Sequence, residues 1–242
     1  MKIVENAILA PTMSFRIEGP LKLDKGLFGL FLSLPEDPLP GFQSALPGVS
    51  GRGRDHPRYG RWMHAFVKFY KPDIVVEVGT NAGGTAVGIA RALAENGRGR
   101  LVCIDSGEGV PRSFPDVARR NIKAAGLKDE YIELICEDSK VALPRVYSQL
   151  RGKVGVCLVD AAHTFDAALY DIRDSLSMMK PGGFMLVHDV DSKLDLGKES
   201  SAEHPVPVLE AFRKVVDENG FEWCILKFIR KHLGVIRLPA KE

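Results

Sequence analysis

Residues 73–84 read DIVVEVGTNAGG, and this stretch decides the fold. A run from Ile74 to Val78, apolar but for Glu77, ends on Gly79 and breaks into the small polar loop Thr80–Gly83. An Ala-rich segment follows from Gly84 to Asn96 and stops at Gly97. A buried strand, a glycine turn and a helix closed by glycine explain that order.

The same alternation continues downstream. LVCID at 101–105 predicts a second strand, and VARRNIKAAG at 117–126 a helix ending on Gly126. YIELIC at 131–136 predicts a third strand, and a short helix around 140–150 restarts at Pro144. VGVCLVD at 154–160 is nearly all apolar and reads as a central fourth strand. A helix over 166–179 carries Leu169, Ile172, Leu176 and Met179 on one face. KPGG at 180–183 reads as a turn, and FMLVHD at 184–189 as a fifth strand. VLEAFRKVVDENG at 208–220 predicts a helix, and FEWCILKFI and HLGVIRL, parted by Arg230 and Lys231, a hairpin.

Upstream, 57–70 places Trp62, Met63, Phe66, Val67 and Tyr70 at helical spacing, a core stripe. Residues 1–34 show no clear element, and 35–60 are rich in proline and glycine. The expected fold is therefore α/β: a doubly wound, seven-stranded, mostly parallel sheet with a C-terminal antiparallel hairpin. The expected organisation is an N-terminal extension and lid over 1–56 and one domain over 57–242. Residues 191–206 are a second lid candidate.

Composition narrows the function. The 242 residues are 45% hydrophobic and 26% charged, with a net charge of +2. That balance gives no global argument for nucleic acid or membrane as partner. The longest uncharged apolar stretch is too short to span a bilayer. The N-terminus shows no clear signal-peptide pattern, so the expected compartment is cytoplasmic. The four cysteines, Cys103, Cys136, Cys157 and Cys224, form no CxxC pair and read as small buried hydrophobes. A homodimer is compatible with the pattern but not required by it.

Ligands of open α/β sheets bind beyond the carboxyl ends of the strands. The five strands end in Glu77 and Gly79, in Asp105, in Glu137, Asp138 and Ser139, in Asp160 with His163 beyond, and in His188 and Asp189. Any one could be a cap, as Asp138 could be for the helix after it. All five together point to a ligand cleft. The glycine loop is not a G-x-G-x-x-G dinucleotide fingerprint, because Glu77 stands at the first glycine. Its pattern is E-x-G-x-x-x-G, through Glu77, Gly79 and Gly83.

That pattern resembles motif I of class I S-adenosylmethionine (SAM)-dependent methyltransferases, and the resemblance runs from Asp73 to Leu238. It implies a Rossmann-like methyltransferase fold and a SAM site of Glu77, Gly79, Thr80, Asn81, Gly83, Asp105, Ser106, Asp138, Ser139 and Asp160. Asp105 matches the acid that holds the ribose hydroxyls, and Asp138 and Ser139 match the adenine side. DAAHTFDAALYDI, MKPGG and FMLVHD resemble the O-methyltransferase branch, nearest the sugar and antibiotic-tailoring and cephalosporin hydroxylase-like members.

An alcohol or phenol acceptor must lose a proton, through a positioned base or a divalent cation. Asp160, His163 and His188 are the catalytic candidates. In related metal-dependent enzymes carboxylates matching Asp160 and Asp189 hold Mg²⁺. This chain departs from them at Val190, where the catechol type has asparagine, and at His188, where another relative has glutamate. Mg²⁺ prefers oxygen ligands, and histidine suits a transition metal better. His163 could equally stack near the adenine or cap the next helix. His204 reads as a loop residue, and Arg52, Arg54, Arg58 and Arg61 as a solvated basic loop or an anion site. The expected function is O-methylation of a small hydroxylated molecule. The rivals are a NAD-dependent oxidoreductase, against which the missing first glycine argues, and a non-catalytic SAM-fold scaffold.

Overall fold

The computed structural model describes residues 6–10, 13–34, 56–108, 114–190, 204–227 and 232–240. Of the lid candidates, residues 35–55 and 191–203 lie outside the described residues, as do Arg52, Arg54 and the Arg230–Lys231 link. The chain divides into two compact units, Leu23–Ala142 and the combination of Met1–Lys22 with Leu143–Glu242.

The Leu23–Ala142 unit holds three parallel strands, β3 (Ile74–Val78), β4 (Arg100–Asp105) and β5 (Ile132–Cys136). β4 lies between the other two, with Val76 opposite Val102 and Cys103 opposite Leu134. Its helices are α1 (Lys25–Ser33), α2 (His56–Tyr70), α3 (Gly84–Asn96) and α4 (Asp116–Ala124). α3 ends where expected, with Gly97 at φ +64 closing it. The α2 stripe is core: Trp62, Met63, Phe66 and Val67 are buried. Trp62 packs against Phe28 and Phe31 of α1 at ring-centroid distances of 5.6 and 5.3 Å. α2 and α3 approach closely through glycine, for a Cβ on Gly88 would stand 1.9 Å from the Gly60 carbonyl oxygen.

In the other unit β6 (Val154–Val159) and β7 (Met179–His188) are parallel. α6 (Phe165–Met178) joins them and packs on α7 (Pro207–Asn219). β9 (His232–Arg237) runs antiparallel to both β7 and β8 (Glu222–Lys227), so the closing hairpin contributes one strand of reversed direction, as expected. α5 (Ser139–Leu150) contains the boundary between the units.

Five expectations change. Arg58 and Arg61 lie on α2 rather than in a solvated basic loop, and Arg61 is buried, its Nη2 donating to the Leu32 carbonyl at 3.1 Å. Residues 1–34 do carry elements: β1 (Asn6–Ala10) pairs with β2 (Met13–Glu18), β2 pairs with β8, and α1 follows. Described strands therefore number nine, the expected seven plus these two. KPGG is not a separate turn, because β7 begins at Met179 and absorbs it. Gly182 at φ +70 and a register shift between Val154 and Val156 take up the irregularity. Pro144 lies within α5 rather than at a restart. Cys103, Cys157 and Cys224 are buried, but Cys136 is exposed. Among the described residues no helix is long and apolar enough to cross a membrane.

Candidate functional site

The glycine loop leaves β3 by way of Gly79 at φ +90 and Gly83 at φ +83, conformations a Cβ would strain. The loop is closed by Gly83 N–H donating to the Thr80 carbonyl at 2.8 Å. It is braced from α4 by Asn121, whose Nδ2 donates to the Ala82 carbonyl at 2.9 Å. Asp105 ends β4, and its two carboxylate oxygens accept from different backbone amides. Asn81 N–H reaches Oδ2 at 2.7 Å and Gly107 N–H reaches Oδ1 at 2.8 Å. Each oxygen keeps a second lone pair. A ribose diol needs a fixed acceptor pair of that kind.

Not every expected cofactor residue is placed alike. Glu77 is fully buried, and its carboxylate accepts from Thr85 Oγ1 and faces Cys103 Sγ at 3.8 Å. It ties the end of β3 to the first turn of α3. Burial and the Glu77 charge hold the Cys103 thiol well above its ordinary range. Thr80 is buried, whereas Asn81 and Ser106 are exposed, and Ser106 Oγ accepts from Glu108 N–H at 3.3 Å. Asp138 is an N-cap: its Oδ1 accepts from Lys140 N–H at 2.8 Å, with Ser139 opening α5.

In the unit that contains β6 and β7, four ionisable residues converge. His163 Nε2 lies 3.0 Å from Asp189 Oδ2, and His188 Nδ1 lies 3.0 Å from Asp160 Oδ1 and 3.2 Å from Asp189 Oδ1. His188 and Asp189 are 3% exposed, Asp160 18% and His163 28%. Burial favours the neutral His188 ring, but Asp160 and Asp189 outweigh it and push its pKa up to about 9. His188 is thus an imidazolium at neutral pH, suited to hold two carboxylates rather than to accept a proton. Asp189 adopts φ +59, a left-handed conformation that Asp tolerates better than most side chains. Backbone outliers of this kind gather at functional sites.

The metal expectation rests on Asp160 and Asp189. The structure adds His163: one atom from each of the three lies within 4.8 Å of the other two. Two carboxylate oxygens and an imidazole nitrogen fit a divalent cation, and the nitrogen favours a first-row transition metal over Mg²⁺. His163 does not cap α6, whose N-cap is Thr164.

The His188 pairing makes stability depend on pH. The folded pKa of about 9 exceeds the unfolded value of about 6.5. The contribution is therefore complete below about pH 6.5 and lost as pH rises through about 9. Thermal unfolding between these values is expected to show a loss on the order of 2 kcal/mol. A His188→Gln variant should flatten that slope, and an equally steep slope in the variant would assign it elsewhere.

The family described as "Methyltransferase domain" matches residues 76–190. A catechol O-methyltransferase of Niastella koreensis is 23% identical over 179 residues, 73% of this chain and 74% of that one. An O-methyltransferase of Bacillus cereus in complex with S-adenosylhomocysteine (SAH) superposes with a TM-score of 0.62 at 16% identity, covering 90% of this chain and 92% of that one. An O-methyltransferase of Streptomyces achromogenes involved in tomaymycin synthesis, in complex with SAM, gives 0.62 at 19%, covering 75% and 79%.

Proposed function

We propose, for a chain that belongs to the class I SAM-dependent O-methyltransferases, that it transfers the methyl group of SAM to a hydroxyl of a small molecule, residues 57–242 forming the methyltransferase domain. The cluster of Asp160, His163, His188 and Asp189 carries this reading. Carbon acceptors need less help with proton removal, so two carboxylates and two imidazoles suit an oxygen acceptor.

SAM supplies a methyl group already activated on a sulfonium. The loop from Gly79 to Gly83 and the Asp105 carboxylate serve this donor, with the carboxylate accepting from the ribose hydroxyls. Alignment of acceptor oxygen and methyl group is the main catalytic demand. His163 Nε2 faces Asp189 Oδ2 at 3.0 Å, and in the tautomer that carries its proton on Nε2 the Nδ1 atom takes the acceptor proton. Asp189 then stabilises the imidazolium. His188 balances the charge of Asp160 and Asp189 and fixes their orientation.

A divalent cation would be held by Asp160, His163 and Asp189 and would lower the pKa of the acceptor hydroxyl. His163 cannot be ligand and base at once, so activity in EDTA separates the two routes.

The test is calorimetric titration with SAH, with NAD as comparator, in EDTA and then in Mn²⁺ or Mg²⁺. The expected outcome is micromolar SAH binding and no NAD binding, followed by methyl transfer in a screen of catechols, phenols and sugars. Folded protein that binds NAD and not SAH would replace this reading with a dehydrogenase. Folded protein that binds neither would leave a scaffold.

A further inference from the structure

Resting on the methyltransferase reading, we propose that Phe165, His204 and Glu210 form a clamp that positions His163. His163 stands two residues before α6, on the short loop that leaves β6. Pairing of β6 with β7 fixes one end of that loop. The other end is the start of α6, where an ordinary helix would rely on a side-chain cap. Thr164 is the N-cap here and makes no side-chain cap bond.

The fastening comes from elsewhere in the chain. The His204 ring stacks on Phe165, the first residue of α6, with centroids 3.8 Å apart and planes 5° from parallel. His204 Nδ1 lies 2.6 Å from Glu210 Oε2. Glu210 Oε1 accepts from Val206 N–H at 3.2 Å. Val206 is the N-cap of α7 and also lacks a side-chain cap bond. One network of three side chains therefore secures the first turns of two helices.

The consequence reaches the chemistry. His163 meets Asp189 at 3.0 Å, a distance that small movements of the 160–164 loop would lose. Geometry at a reacting group is sensitive to shifts of that size. Phe165, His204 and Glu210 touch none of the reacting atoms in this scheme. They are positioning residues, acting through the loop that carries Asp160 and His163.

The test follows the imidazole ¹H–¹⁵N spectrum of the full chain labelled at histidine, with His163 assigned by His163→Gln. His204→Ala should displace and broaden the His163 signals. His204→Phe keeps a flat ring on Phe165 and should return them toward the parent positions. SAH affinity, measured by calorimetry on the same samples, should stay within a few-fold of the parent. His163 signals that do not move in His204→Ala, or that move equally in the Ala and Phe variants, would overturn the clamp. Should His204→Ala fail to fold, Phe165→Leu keeps apolar bulk without the stack. Displaced His163 signals in that variant support the clamp, and unmoved signals overturn it. Absence of SAH binding by the parent protein would instead sink the methyltransferase reading, whatever the His163 signals do.

Discussion

Replacing Asp105 with alanine is expected to weaken SAH binding by roughly 100-fold, the largest single loss in the donor site. Two hydrogen bonds from ribose hydroxyls to a charged acceptor contribute about 3 kcal/mol together, which is roughly two decades in Kd. The same carboxylate holds Asn81 N–H and Gly107 N–H, so its removal also loosens both loops. Asparagine is not a mild replacement. Both carboxylate oxygens already accept backbone N–H groups, and an amide would turn its NH₂ against one of them. Asp105→Asn should therefore lose more than tenfold (about 1.4 kcal/mol) as well. Calorimetry with SAH reads both variants. Unchanged affinity in Asp105→Ala would reduce Asp105 to a loop brace and move the ribose elsewhere.

The second large effect is on stability. Gly88→Ala puts a methyl group 1.9 Å from the Gly60 carbonyl oxygen, a backbone atom that no rotamer change can move aside. Overpacking typically costs about 1–3 kcal/mol, and a clash with backbone belongs at about 3 kcal/mol or beyond. For a chain of this size that corresponds to roughly 6–12 °C in Tm. Gly29→Ala is the control, since α1 leaves open space around Gly29. There alanine should be neutral or stabilise by about 0.5–1 kcal/mol through helix propensity. Equal Tm values for the two variants would mean that α2 and α3 separate at little cost.

Much of this architecture is legible in the sequence because its signals are local. The runs from Ile74 to Val78, apolar but for Glu77, and from Val154 to Val159 are strands, and Gly97 and Gly220 close α3 and α7 at φ +64. β2 is legible in principle, since MSFRIE alternates apolar and polar residues as a half-buried strand does, but its pairing is not, because its partner β8 lies some two hundred residues away. α1 is legible in principle. Asp24 caps it by accepting from Gly26 N–H at 2.7 Å, and Leu27, Phe28 and Phe31 form its buried face.

The residue types of the site can be read from the chain, but not their partners. Asp138 carries its cap signal openly, just ahead of a helix. That Glu77 is sealed against Thr85 and Cys103 depends on three elements packing together. His204 reads as a loop residue because its two partners are 39 residues upstream and six downstream. The addition of His163 to the Asp160–Asp189 pair likewise needs the fold to bring β6 and β7 side by side.

Asp189 carries a last implication. Its φ of +59 restricts what can stand there, independently of any chemistry at its carboxylate. Glycine, asparagine and aspartate fit that backbone, while glutamate, the obvious charge-preserving exchange, does not fit it comfortably. His188, one residue earlier, carries no such restriction. An evolving lineage could therefore retune this cluster by drifting at 188 while 189 stays confined to a few small residues, so diversification of acceptor chemistry would be written at the first position and vetoed at the second.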